Sequence, residues 1–124
     1  MKAYTNIEQS KKLAEILPLK TADMCYRIVA YNHNNTHEYQ PYCFVRTLES
    51  DIPCWSLSAM LDFLKPDICL DHENGVGWKV SEYVVIEKPN SILSDIKCIQ
   101  GFSEDNPIDA CYEMIIKLHE QKLL

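Results

Sequence analysis

The stretch Asn106-Pro-Ile-Asp-Ala-Cys-Tyr-Glu-Met-Ile-Ile-Lys-Leu-His-Glu-Gln-Lys-Leu-Leu124 limits what this chain can fold into more than any other segment does. Asn106 can accept from the N–H groups of a first helical turn, and Pro107 at the first helical position lacks only a donor that would be unpaired anyway. Asp109 faces the positive end of the helix dipole, Lys117, His119 and Lys122 lie toward the negative end, and Glu113 to Lys117 is a favourable i,i+4 pair. Ile108, Cys111, Tyr112, Ile115 and Leu118, widened by Met114, recur every three or four residues, so one face is apolar. Burial of each large apolar side chain contributes about 1.5–3 kcal/mol before entropy is subtracted. This helix therefore needs a sheet to pack on, and Cys111, Ile115 and Leu118 are expected to be buried.

The other elements follow in chain order. Thr5-Asn-Ile-Glu8 has the form of a capping box and predicts a peripheral helix to about Leu17, stopped by Pro18. Met24 to Tyr31 predicts a strand with a polar break at Arg27, and a second strand is predicted from about Tyr42 to Leu48. Between them Asn32-His-Asn-Asn-Thr-His-Glu-Tyr-Gln-Pro41 reads as a long polar loop. After a crossing segment at Asp51 to Trp55, Ser56 caps a short apolar helix that ends before Pro66. Ile68-Cys-Leu70 begins a strand, Asn74-Gly75 turns it, and Trp78 to Ile86 returns, with Glu82 suggesting a bulge or an edge. A loop from Glu87 to Ser91 precedes a strand at Ile96 to Gln100, and Gly101 to Asp105 leads into the last helix. The order α-β-β-α-β-β-β-α favours a single α+β domain over residues 1–124, with a largely antiparallel sheet packed against helices.

A chain of 124 residues can bury a core without metal or disulfide support. With 18 Asp and Glu against 12 Lys and Arg it has a net charge of -6, which argues against sequence-independent binding to nucleic acid or anionic lipid. No run of about 18 apolar residues suggests a membrane span. The opening Met-Lys-Ala-Tyr-Thr-Asn turns polar at once, unlike a secretory signal. The 6 cysteines form no Cys-x-x-Cys pair and sit beside apolar neighbours, so reduced thiols in a cytoplasmic protein are expected.

Chemistry-bearing residues are few. His33 and His37, with Cys43, Glu38 and Asp51 nearby, are ligand types that zinc accepts, but a four-residue spacing converges on one ion only when a rigid frame holds it. Tyr39 and Tyr42 flank the same stretch and are amphipathic side chains common at interfaces. Asp71-His72-Glu73 joins two carboxylates to an imidazole, although turn chemistry already accounts for it. His119 suits a helix end, and Trp55 and Trp78 have rings that can stack on a base or sugar, but with no basic residues interleaved they suit a core better. No nucleophile motif or phosphate-cradling loop is present, and no cofactor is implied.

The segments Ile7-Glu-Gln-Ser-Lys-Lys-Leu-Ala-Glu-Ile-Leu-Pro, Ile52-Pro-Cys-Trp-Ser-Leu-Ser-Ala-Met-Leu and Asn106 to Glu120 together resemble those of a group of small uncharacterised proteins. These occur in Bacteroides-type gut bacteria and in their phages and integrated mobile elements. The resemblance implies a bacterial cytoplasmic setting and transfers no reaction, ligand or catalytic residue. Two functional expectations stand side by side: a non-enzymatic interaction or accessory protein of such an element, or a small-molecule or metal-binding enzyme using the 32–41 loop. A protein partner or a second copy of the chain fits the first.

Overall fold

The computed structural model describes residues 2–64, 68–75, 77–87, 94–103 and 105–124. Among the described residues it is an α+β fold with three helices and two antiparallel three-stranded sheets, in the expected element order with one added short strand. The chain gathers into two compact units, Lys2–Phe63 and Leu64–Leu124. The expected stop at Pro66, the loop residues Lys88 to Ser91, and Glu104 lie outside the described residues.

The first unit opens with α1 (Ile7–Ile16), whose N-cap is Asn6 rather than Thr5. Asn6 Oδ1 accepts from Gln9 N at 2.7 Å and Gln9 Oε1 accepts from Asn6 N at 3.1 Å, a capping box one residue later than the sequence suggests. The reason is that Thr5 is taken inward. Its buried hydroxyl accepts from Trp55 N at 3.2 Å and shares a hydrogen bond with Ser10 Oγ at 2.8 Å. A 3-10 turn (Leu19–Thr21) follows and leads into β1 (Met24–Tyr31). Antiparallel β2 (His37–Tyr42) and β3 (Ile52–Cys54) flank it in the order β2-β1-β3. Met24, Tyr26, Ile52 and Cys54 are buried on one face, with Tyr4, Ile7 and Tyr39 packed around them. α2 (Leu57–Leu64) starts where Ser56 Oγ accepts from Ala59 N, and Asp23 holds Ser56 in turn by accepting from its backbone N at 2.9 Å.

In the second unit β4 (Ile68–Glu73), β5 (Gly77–Glu87) and β6 (Ser94–Ser103) form a meander under α3 (Pro107–Glu120). Gly75, with φ of 82°, supplies the left-handed turn expected at Asn74-Gly75. Glu82 lies in unbroken register, opposite Ile68 on one side and Ile99 on the other, so it marks neither a bulge nor an edge. The central strand accepts it because its side chain is only partly buried. α3 has the expected cap: Asn106 Oδ1 accepts from Asp109 N at 2.9 Å. Cys111, Ile115 and Leu118 are buried as expected, together with Ile108 and Met114.

Candidate functional site

The predicted 32–41 loop is mostly strand. The connection shrinks to residues 32–36, where Asn35 adopts a φ of 61° and Asn32 N donates to Thr36 O at 2.9 Å. β2 then pairs with β1 from Tyr31↔His37 to Cys25↔Tyr42, with the register shifting between Ile28 and Ala30. This bulge adds one residue to β1, so Tyr31 falls on the same face as His37 and Tyr39. The rings form a ladder: Tyr31 to His37 at 4.8 Å and His37 to Tyr39 at 6.4 Å, both edge to face. Tyr39 joins the ladder to the core, whereas Tyr31 is 76% exposed.

Strand alternation separates the remaining candidates. Tyr42 lies on the opposite face, stacked on Phe44 at 5.1 Å, and Glu38 also points away from His37. His33 is exposed in the turn. Among the described residues no three His, Cys, Asp or Glu side chains gather as a metal would require. The same alternation divides Asp71-His72-Glu73, which ends β4 instead of forming a turn. Asp71 and Glu73 border a depression of about 100 Å³ with Lys79 and Phe102, while His72 packs on Trp78 at 4.6 Å on the other face. The imidazole is therefore not placed to work with those carboxylates. Trp55 is fully buried, with Nε1 donating to Thr21 Oγ1 at 2.9 Å, and is no stacking platform. His119 sits exposed in the last turn of α3, the helix end expected from the sequence.

Sequence reasoning missed one centre. Arg27, expected only to interrupt a strand, donates through Nε and a terminal nitrogen to the two oxygens of buried Asp51, at 3.0 and 2.8 Å. Asp51 also accepts from Leu48 N at 3.0 Å and Thr47 N at 3.3 Å, and the guanidinium lies 4.9 Å from the centre of the Phe44 ring. The Arg27 hydrogen bonds, helped by the two backbone N–H groups, hold the Asp51 carboxyl down at about 2. A carboxylate so engaged is a poor proton shuttle or metal ligand at neutral pH. It organises the chain instead, and it explains why the strand expected at 42–48 is absent: residues 43–50 fold around Asp51 rather than pairing.

All six cysteines are free thiols. Burial pushes Cys25, Cys54 and Cys111 up, the last to about 12, and the neighbouring Asp71 carboxylate, which accepts from its thiol, raises Cys69. None of these four is activated as a nucleophile, since activation requires a lowered value. Thiol titration of the native protein should find Cys43, Cys69 and Cys98 reacting promptly and Cys25, Cys54 and Cys111 only after denaturant is added. A total near zero in the unfolded, unreduced protein would contradict the free-thiol assignment.

Comparison with protein-family models, with curated proteins and with solved structures finds no match for this chain. Among the described residues no helix is long and apolar enough to cross a membrane.

Proposed function

We propose that this is a non-enzymatic interaction protein, an accessory protein of a bacterial mobile element acting in the cytoplasm, that meets a protein partner at the outer edge of the β1–β2 hairpin. The observation that carries this reading is the ladder that joins Tyr31, at the end of β1, to His37 and Tyr39 on β2, the strand at the sheet's edge. An edge strand presents unpaired backbone groups on one side, which an extended segment of another protein can complete. The aromatic rings beside it bring contact area at low entropic cost, and Tyr39 anchors them to the core.

A photocrosslinking residue at Tyr31, expressed in the native host, is expected to give a discrete protein adduct that His37→Asp abolishes. The same crosslinker at Lys12, on the exposed side of α1, should give none. Absence of an adduct at Tyr31 would overturn the reading. Stoichiometric zinc in the purified protein, lost on His33→Ala with His37→Ala, would favour the alternative of a small-molecule or metal-binding enzyme.

A further inference from the structure

The segment folded around Asp51 forms one wall of a groove on the first unit, away from the aromatic ladder in sequence and in lining residues. Two depressions of about 390 and 430 Å³ share Leu19 and Arg46. One is bordered by Lys11 and the other by Lys20. The wall is preformed: Asp51 fixes the backbone at Thr47 and Leu48, and Arg46 donates to Leu48 O at 3.1 Å and Glu49 O at 2.7 Å. Since those acceptors are backbone carbonyls, the Arg46 charge meets no carboxylate among the described residues, and neither do Lys11 and Lys20.

Three cations around one groove without an ion-pair partner among the described residues stand out in a chain of net charge -6. Glu49 on the same rim offsets only part of them, and Asp51 is already neutralised by Arg27. Between the cations Leu19 and Val45 are 47% and 57% exposed. A small ligand is normally enclosed over most of its surface, which a groove this open does not do. We infer that the groove binds an extended peptide segment of a partner protein in which acidic and aliphatic residues alternate, the acidic groups meeting Lys11, Lys20 and Arg46 and the aliphatic ones covering Leu19 and Val45. The inference rests on charge complementarity and is independent of the hairpin reading.

The test is fluorescence anisotropy with a fluorescein-labelled peptide of alternating glutamate and leucine. Saturable binding is expected, weakened about tenfold by Lys11→Glu with Lys20→Glu. Binding should also weaken as salt is raised and when serine replaces leucine in the peptide. Both lysines are exposed, so thermal melts of the variant should match the parent, and Lys11→Gln with Lys20→Gln gives an intermediate case. No saturation below about 1 mM, or equal binding by parent and variants, overturns the inference. Loss of peptide binding in Tyr31→Ser would move the contact to the hairpin and overturn it too. Lysine-dependent sedimentation with phosphatidylglycerol vesicles in the absence of peptide binding would do the same in favour of a lipid surface.

Discussion

Gly101→Ala is expected to destabilise the Leu64–Leu124 unit by about 3 kcal/mol or more, at the top of the range for overpacking a core. A Cβ built on Gly101 falls 2.5 Å from Met114 N and 2.8 Å from Met114 Cβ, and closer still to the Ala110 carbonyl oxygen. None of these is the end of a flexible side chain. To admit even one methyl group, α3 must lift from β6. That movement opens the packing of Ile108, Cys111, Met114, Ile115 and Leu118, each worth about 1.5–3 kcal/mol when fully buried. Gly75→Ala provides the control, because its added Cβ meets nothing within 4 Å and its only penalty is the positive φ, about 1 kcal/mol. Urea unfolding of the two variants separates the cases. Equal stability would mean that α3 adapts to the methyl group, contrary to the close approach seen here.

That close approach was not legible in the sequence, where Gly101 reads as the start of a connection. A glycine needed for lack of a side chain looks like a glycine needed for a turn. Elements whose determinants are local were legible: the Asn106 cap with Pro107, the Ser56 cap and the Asn74-Gly75 turn each place their signal within a few residues of its effect. The failures have non-local causes. His37–Tyr42 is polar on its exposed faces and carries no β-branched residue, yet it is a strand because β1 offers it a partner. Cys43 to Leu48 is richer in apolar residues and was expected to pair, but Asp51 draws it into an irregular fold. Ile52–Cys54 is too short for any periodicity, so its burial against β1 leaves no pattern to read.

The candidate site divides in the same way. Tyr39 and His37 could be singled out from residue type, but the ladder that includes Tyr31 depends on a bulge between Ile28 and Ala30, and no sequence spacing announces it. Arg27 and Asp51 are 24 residues apart, and only the pairing of β1 with β3 brings their segments together. The groove inherits that dependence, since its wall stands on Asp51.

Asp51 therefore supplies the second large effect. Asp51→Ala removes the acceptor for Arg27 and for two backbone N–H groups, and is expected to destabilise the protein by about 2 kcal/mol, the lower part of the range for charged hydrogen bonds, because partly exposed Arg27 regains water. The pH dependence gives the effect a signature. In the unfolded chain the carboxyl titrates near 3.9, whereas in the fold it is held at about 2, so the unfolded state binds the proton more readily. The stabilisation is complete above about pH 4 and disappears as pH falls toward about 2. Asp51→Asn keeps the shape but cannot titrate, so urea midpoints of the parent should fall more steeply than those of the variant between about pH 4 and pH 2, and the difference between the two should shrink on acidification. Parallel pH profiles would show that the Arg27–Asp51 pair is not holding the 43–50 segment, and the peptide groove would lose its preformed wall with it.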